Sequence, residues 1–217
     1  MVLVPLKDGT WAPFGTRQGR DQADECTGHL STTTTDFGSR AYYSRTAMST
    51  NSSAFSIRLA TLDDASTIRR IYNHEVENHL TTTDLVPRSL ESQQNWLSER
   101  SGVFSAVVAV DRSDGEVVGF ASLSPYKERA AYRTTVEDSV YVAREFAGRG
   151  IGRLLMTHLI EVARDSGFHS LIGRIETTST ASRALHETCG FELVGIEREV
   201  GRKFNRWLDI AVMQLML

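Results

Sequence analysis

The segment that most constrains this chain runs from Val140 to Leu155 and reads VYVAREFAGRGIGRLL. An apolar strand leads into a loop with glycines at 148, 150 and 152, and the loop opens directly into an amphipathic helix. The start of a helix presents unpaired backbone N–H groups and the positive end of the helix dipole, so it attracts phosphate. Glycines let the backbone approach such an anion closely. The segment therefore predicts a pyrophosphate-binding loop, to which Arg149 and Arg153 add positive charge.

Length, charge and cysteine usage exclude several classes of protein. The 217 residues are enough for one domain with a proper core plus some excess chain. A formal net charge of -3 gives no sign of the basic face of a nucleic-acid-binding protein. No apolar run approaches the ~20 residues that cross a bilayer. Cys26 and Cys189 cannot form a disulfide framework and no Cys/His cluster has zinc spacing, so we expect a cytoplasmic protein without a metal site or a membrane partner.

Residues 1–54 differ in character from the rest of the chain. They contain the polar tracts Ser31–Thr35 and Ser49–Ser53, and no helical or strand period persists between them. Such a stretch buries too little apolar surface to offset its ordering entropy, so we expect a disordered extension before a domain at 55–217. Two alternatives stay open, a transit peptide, which would be unusually acidic, and translation from Met48.

From residue 55 onward, the hydrophobic periodicities predict the element order β-α-α-β-β-β-α-β-α-β-β, with strands at 103–110 and 135–142 and a helix at 180–188 among its elements. Ser89 is expected to cap the second helix, and Asp63 or Asp64 the first. Gly115 marks a hairpin turn and Gly167 ends the helix that follows the glycine loop. This order is typical of a mixed α/β layer, an α+β arrangement without regular alternation.

The position of the glycine loop argues against two common nucleotide sites. A dinucleotide-binding fold needs Gly-x-Gly-x-x-Gly after its first strand, whereas this loop follows the fourth strand and has Arg153 where the third glycine is required. Glu176 does supply an acidic residue at the end of the next strand. The Gly-Lys-Ser/Thr of nucleotide hydrolases is absent. Taken alone, the loop could also be a plain strand-to-helix turn.

Motifs along three quarters of the chain supply the context for the loop. In chain order they are Tyr72-Asn-His74, Pro87-Arg-Ser-Leu90 with Trp96, Arg133-Thr-Thr-Val-Glu137, Val140-Tyr-Val142, Arg149-Gly-Ile-Gly152, Leu185-His-Glu187, Gly190-Phe191 and Trp207-Leu-Asp209. In these motifs the chain resembles the GNAT superfamily of N-acetyltransferases, in particular its phosphinothricin and methionine sulfoximine acetyltransferase-like branch. The resemblance implies the acyl-CoA N-acyltransferase fold, a mixed and mostly antiparallel sheet with helices on both faces and a splayed central strand pair.

The same resemblance implies that the loop binds the pyrophosphate of acetyl-CoA. Two positions depart from the family pattern, with Ala147 in place of Gln or Arg and Ser179 in place of Asn. The strand before the loop is expected to bulge and splay, so that the backbone N–H of Val142 can stabilise the oxyanion. The cofactor-binding residues implied are Val140, Tyr141, Val142, Arg149, Gly150, Ile151, Gly152, Arg153, Ser179 and Ser182.

Acetyl transfer to an amine requires a base for the ammonium and a proton for the leaving thiolate. Glu137 is the predicted base, because a strand interior is a costly place for an idle carboxylate and the resembled branch has its proposed base there. Asp138 is expected to point to the opposite face. His186 is the candidate acid, since its imidazole can relay a proton near neutral pH. A solvent-facing Glu137 and a packing role for His186 are the alternatives.

The substrate is expected to be a small amine, an amino-acid analogue of the phosphinothricin or methionine sulfoximine/sulfone type. Arg129 and Arg133 lie just before Glu137, where a guanidinium could bind a carboxylate or phosphinate, and Tyr132 could form a wall of the site. The family resemblance also implies a homodimer. Acetylation of polyamines or protein N-termini, and a non-catalytic acyl-CoA sensor, are the alternative functions.

Overall fold

The computed structural model describes residues 3–5, 11–13 and 54–217. Near the N-terminus, β1 (Leu3–Pro5) pairs antiparallel with β2 (Trp11–Pro13). The rest of the predicted N-terminal extension lies outside the described residues, so its disorder stays a prediction. The chain from Thr50 onward forms a separate compact unit. Among the described residues, no helix is both long and apolar enough to span a membrane.

The domain has the predicted order of elements. Its strands are β3 (Phe55–Leu59), β4 (Val107–Asp111), β5 (Val117–Pro125), β6 (Thr135–Val142), β7 (Ser170–Glu176), β8 (Glu192–Lys203) and β9 (Arg206–Met216). Its α-helices are α1 (Ala65–Asn78), α2 (Leu90–Ser98), α3 (Ile151–Asp165) and α4 (Thr180–Thr188). The apolar run before β4 was expected to be strand from Val103, but Gly102–Phe104 forms a 3-10 turn that begins at a left-handed glycine (φ 59°).

The strands of this domain form one mixed sheet in the order β3-β4-β5-β6-β7-β9-β8. Among the described strands, only β6 and β7 run parallel, and the other neighbours are antiparallel. Side chains alternate across the sheet, so Phe120 contacts Tyr72 of α1 whereas Gly119 faces α3. The predicted fold class, a mostly antiparallel sheet with helices on both faces, is confirmed. A doubly wound parallel sheet is excluded.

An aromatic cluster fixes α1 and α2 against the central strands. Tyr141 of β6 stacks on Phe120 of β5 with centroids 5.1 Å apart, and Tyr72 of α1 meets both rings edge-on. Trp96 of α2 packs edge-on against Phe120 at 6.2 Å. Aromatic pairs of this kind contribute about 0.5–1.5 kcal/mol beyond their buried area. The cluster therefore packs α1 and α2 against β5 and β6 on one face of the sheet.

The central parallel pair β6–β7 is short and splays. Pairing begins at Thr135 with Ser170 and ends at Glu137 with Ile172. On its other side, β6 keeps continuous register with β5 as far as Val142. The predicted splay is present, but the predicted bulge in β6 is wrong. Each residue of β6 from 136 to 142 has one partner in β5, so the strand holds no extra residue there.

The predicted helix caps have mixed outcomes. The Ser89 side chain accepts a hydrogen bond from the Ser92 backbone N–H at 3.0 Å, as expected for the N-cap of α2. Asp64 does precede α1 directly, but its carboxylate makes no cap hydrogen bond. It accepts instead from the Thr61 backbone N–H and from the Arg58 guanidinium, each at 2.7 Å. This ion pair joins β3 to the entry of α1.

We expect Gly119→Ala to destabilise the domain. A Cβ at this position would lie 2.9 Å from the Tyr141 carbonyl oxygen and 3.3 Å from a Leu155 methyl group, so the sheet would have to shift. A loss of about 1–3 kcal/mol in the free energy of unfolding is expected from denaturant titration. Gly195→Ala is the matched control, because a Cβ there meets open space. Equal stability of the two variants would contradict this packing.

Candidate active site

A cavity of about 800 Å³ opens where β6 and β7 separate. It is lined by residues 137–142 of β6, by the glycine loop, by the first residues of α3 and by α4. Tyr72 and Glu75 of α1 and the loop 80–84 line it as well. A cavity of this size lies within the range of small-molecule and cofactor sites.

The glycine loop has the geometry of an anion site. Gly148 and Gly150 adopt left-handed conformations, with φ of 77° and 83°, which would strain a residue with a side chain. The first hydrogen bond of α3 runs from the Leu154 N–H to the Gly150 carbonyl at 3.1 Å. The N–H groups of residues 151–153 therefore precede the helical ladder, and these residues line the cavity. The helix start fits a phosphate group.

The backbone of β6 offers further donors to the cavity. The Ala143 N–H bonds to the Val118 carbonyl in β5 at 2.9 Å. Because N–H groups alternate in direction along a strand, those of Val140 and Val142 point away from β5, toward the gap left by β7. Tyr141, predicted as a cofactor contact, has its side chain buried in the aromatic cluster on the α1 face. The residue nevertheless lines the cavity.

Glu137 lines the cavity at the last residue of the β6–β7 ladder. Its side chain lies on the same face of β6 as that of Tyr141, which places it on the α1 side of the sheet. Burial raises the pKa of this carboxyl group, while the charge of Arg174 opposes the shift and the charges of Asp138 and Glu197 add to it. The net result is a raised pKa. A half-buried carboxylate with a raised pKa suits proton removal from an ammonium group.

Asp138 and His186 form a buried pair on the opposite face of β6. The Asp138 Oδ2 lies 3.2 Å from the His186 Nε2, and their side chains are only 4% and 5% exposed. The other ring nitrogen, Nδ1, lies 2.8 Å from the Ser182 carbonyl oxygen. A carbonyl can only accept, so Nδ1 carries a proton, and a carboxylate opposite Nε2 favours a second one. This arrangement favours the imidazolium form of the ring.

The pKa of His186 reflects this environment. Burial alone would lower the pKa, but the hydrogen bond and charge of Asp138 outweigh it and raise the pKa above its usual value. Gly173 of β7 makes room for the ring, since a Cβ there would lie 2.7 Å from it. The sequence places Asp138 on the face opposite Glu137, which is correct, but it gives no sign of the histidine partner.

The second carboxylate oxygen of Asp138 is unsatisfied within the described part of the protein. Oδ1 is buried and has no hydrogen-bond partner there, although the residue lines the cavity. A buried acceptor without a donor costs about 1–3 kcal/mol. A bound ligand that brings an N–H, S–H or O–H group into the cavity would remove that cost.

The remaining predicted cofactor residues divide into two groups. Ser179, Ser182 and Arg153 line the cavity together with the glycine loop. Arg149 does not line it. Its guanidinium lies against the rings of Phe55 and Phe146, at 4.8 and 5.0 Å, and 3.7 Å from an Asp111 oxygen. The positive charge expected from Arg149 is thus directed toward β3 and β4 and away from the anion site.

The predicted substrate residues Arg129, Tyr132 and Arg133 occupy an exposed turn between β5 and β6. Tyr132 packs edge-on against Tyr126 at 5.6 Å, with the Lys127 ammonium over both rings. In the described chain, none of the three predicted residues lines the cavity. Their substrate role stays a prediction.

The charged groups that do line the cavity come from distant parts of the chain. Glu75 of α1 accepts hydrogen bonds from Arg144 at 2.8 and 2.6 Å, and Asp84 accepts one from the Tyr72 hydroxyl at 2.5 Å. Arg174 of β7 also lines the cavity. No motif of the sequence marks these residues as a group, because the tertiary fold alone brings them together.

One group of described residues brings three possible metal ligands close together, and the expected absence of a metal site stays a prediction. The ligand atoms of His74, Glu75 and His79 all lie within 4.8 Å of one another. Glu75, however, is already bound by Arg144 and by the Thr81 hydroxyl. The carboxylate would have to leave these partners to bind an ion.

Comparison with known proteins identifies the domain. A family profile described as "Acetyltransferase (GNAT) domain" matches residues 57–212. The chain belongs to the GNAT acetyltransferase family. The predicted family and enzyme class are confirmed, and the splay and glycine loop described above are features of a GNAT domain in this chain.

Three relatives of this acetyltransferase show the range of named activities around it. An L-methionine sulfoximine/L-methionine sulfone acetyltransferase from Pseudomonas aeruginosa is 39% identical, over 75% of this chain and 94% of that enzyme. A phosphinothricin acetyltransferase from Sinorhizobium meliloti, whose crystal structure is in complex with acetyl-CoA, is 37% identical. The alignment covers 76% of this chain and 89% of that one, with a TM-score of 0.72. The crystal structure of a ribosomal-protein-alanine N-acetyltransferase from Brucella melitensis is of a chain 43% identical to this one. The alignment covers 75% of this chain and 99% of that one, with a TM-score of 0.72.

We expect Asp138→Asn to lower the pKa of His186 in this acetyltransferase. Without the carboxylate charge, burial dominates and disfavours the imidazolium. An NMR titration of the histidine ring signals, assigned with His186→Gln, measures the shift. By linkage, the stability that the raised pKa contributes is full below the unfolded-state pKa and is lost as pH rises through the folded-state pKa. Asp114→Asn, in an exposed turn, should change neither property; an unchanged His186 pKa in Asp138→Asn would contradict the ion pair.

Proposed function

We propose that this chain transfers the acetyl group of acetyl-CoA to the amino group of a small amino-acid-like substrate. One observation carries the proposal: a single cavity joins the anion site at the start of α3 to the carboxylate of Glu137 through the open edge of β6. When bound, acetyl-CoA supplies an activated thioester. The names of the relatives from Pseudomonas and Sinorhizobium support an acceptor of the methionine sulfoximine or phosphinothricin class.

The cavity residues fit acetyl-CoA at both ends. The first N–H groups of α3, with Arg153 and the glycine loop, would hold its pyrophosphate. The N–H groups of Val140 and Val142, which point toward the gap left by β7, would donate hydrogen bonds to carbonyl oxygens of the bound acetyl-CoA. The Asp138 Oδ1, buried and unsatisfied, could accept from a donor that the ligand brings. Ser179 and Ser182 lie at the start of α4 on the same side.

Glu137 would act as the general base. Its raised pKa makes the carboxylate a better acceptor for a proton of the substrate ammonium group, directly or through a water molecule. The Val142 N–H would stabilise the oxyanion that forms on the acyl carbon. These groups lie on one strand, so the continuous register of β6 with β5 fixes their spacing.

His186 would supply the proton for the leaving thiolate through its partner. Both ring nitrogens are bound inside the fold, Nδ1 to Ser182 and Nε2 to Asp138. The proton on Nε2 therefore reaches the cavity by way of the Asp138 carboxyl group. The sequence predicted a histidine that protonates the thiolate sulfur directly. In this proposal the Asp138–His186 pair acts together as the general acid.

The function is tested by thiol release from acetyl-CoA against a panel of amino acids, methionine sulfoximine, phosphinothricin, a polyamine and an alanine-initiated peptide. Turnover with the amino-acid analogues and none with the polyamine or peptide is the expected result. The peptide is included because of the relative from Brucella. Peptide turnover alone would favour acetylation of protein N-termini, and acetyl-CoA binding without any turnover would favour a sensor.

We expect Glu137→Gln to lower kcat by about 10²–10⁴-fold, the usual contribution of a general base. Acetyl-CoA affinity, measured by calorimetry, should stay nearly unchanged, because the carboxylate lies outside the anion site. In the wild type, activity should fall as pH drops through the raised pKa of Glu137, since the base is then protonated. Wild-type turnover in Glu137→Gln would contradict the assignment.

We also propose a cytoplasmic homodimer that binds no nucleic acid. The free thiol of Cys189 and the formal net charge of -3 support the compartment and the lack of a nucleic-acid partner. The edge strand β8 supports the dimer, because Val194 and Ile196 on it are 62% and 50% exposed. An edge strand with exposed apolar side chains is a ready surface for a second copy of the chain.

We expect the double variant Val194→Lys, Ile196→Lys to be monomeric and the wild type to be dimeric. Buried lysines at the edge would lose hydration and repel their counterparts across the interface. Light scattering coupled to size-exclusion chromatography measures the mass of each. Val86→Lys is the control, since this valine is 76% exposed but lies in the loop before α2. A monomeric wild type would overturn the dimer.

A further inference from the structure

Three charged side chains form a row on the Glu137 face of the sheet. Arg174 of β7 makes a two-pronged ion pair with Glu197 of β8, with Nη1 3.1 Å from Oε1 and Nη2 bonded to Oε2. The strand registers place both on the face of Glu137. Glu137 lies opposite Ile172, two residues before Arg174 on β7. Arg174 lies opposite Val212 of β9, and Glu197 lies opposite Ile210 of that strand. Because Val212 and Ile210 are two residues apart on one strand, Arg174 and Glu197 share the same face of the sheet.

We propose that Arg174 binds the α-carboxylate of the substrate while Glu137 receives its ammonium group. The inference rests on the proposed amino-acid acetyltransferase function. An α-amino acid carries both charges on neighbouring atoms, so its binding groups must be neighbours as well. Arg174 lies two residues beyond the last paired residue of β7, on the same face as Glu137, and it is close enough for its charge to act on the Glu137 carboxyl group.

Arg174 is the guanidinium in the right part of the cavity. Its side chain is 32% exposed and lines the cavity. Arg144, which also lines the cavity, follows the end of β6 and lies seven residues beyond Glu137 along the chain. Arg153 belongs to the anion site at the start of α3. The sequence favoured Arg129 and Arg133 for this role, but neither side chain lines the cavity.

Glu197 positions Arg174 and leaves it able to bind an anion. The two-pronged pair uses two of the five N–H donors of the guanidinium and fixes its plane. The other donors can serve a carboxylate in the cavity. Charge coupling then links binding to chemistry: the positive field of Arg174 weakens the proton affinity of Glu137, and a bound carboxylate cancels part of that field.

The experiment compares each accepted amino acid with its carboxamide, which keeps the amine and lacks the negative charge. In Arg174→Ala, kcat/KM for the free acid should fall about 10–100-fold, as expected for loss of a charged hydrogen-bonded pair. The value for the carboxamide should fall much less than that for the free acid, because only the free acid loses its ion pair, and the KM for acetyl-CoA should stay within about twofold. Arg174→Lys, which keeps the charge but loses the planar fork, should fall between the two.

The controls separate this inference from the function on which it rests. Arg202→Ala, on the exposed part of β8, should leave all values unchanged. Wild-type inactivity toward every amino acid would overturn the proposed function itself. Wild-type turnover with an unchanged acid-to-carboxamide ratio in Arg174→Ala would overturn only the role of Arg174. Loss of the ratio in Arg133→Ala and not in Arg174→Ala would return the carboxylate site to the exposed turn. Thermal unfolding of each variant shows that the fold is kept.

Discussion

The early end of the β6–β7 ladder is the constraint on which the site depends. Pairing stops at Glu137 and Ile172, while β6 continues for five more residues on β5 alone. The backbone donors released on that side would be costly if they were buried without partners. The cavity exposes them to a ligand instead. The aromatic cluster on one face and α3 on the other keep β6 in place although one of its edges is open.

This arrangement divides the chemistry between the two faces of one strand. Glu137 lies on the face of α1, where Arg174 and Glu197 form its electrostatic surroundings. Asp138, the next residue, lies on the face of α4 and meets His186. A single strand thus carries a base toward the acceptor and half of a buried ion pair toward the cofactor side, because adjacent side chains point in opposite directions.

Local features of the sequence predicted the elements well. The strand 135–142 and the helix 180–188 have the predicted bounds, since alternation, caps and glycines are short-range signals. The glycine loop was predicted as an anion site for the same reason. Contacts between elements were predicted poorly. Arg149, which the motif assigned to the cofactor, packs against Phe146 and against two groups that lie far from it along the chain, Phe55 and Asp111.

The sequence by itself determined the family, the order of elements, the anion-binding loop and the identity of the candidate base and histidine. Each of these depends on residues close together in the chain or on a motif of fixed spacing. Tertiary structure alone decided that Asp138 pairs with His186 and that Arg174, with Glu197, lies beside Glu137. Asp138 and His186 are 48 residues apart along the chain and Arg174 and Glu197 are 23 apart, so only helix packing and strand register bring them together.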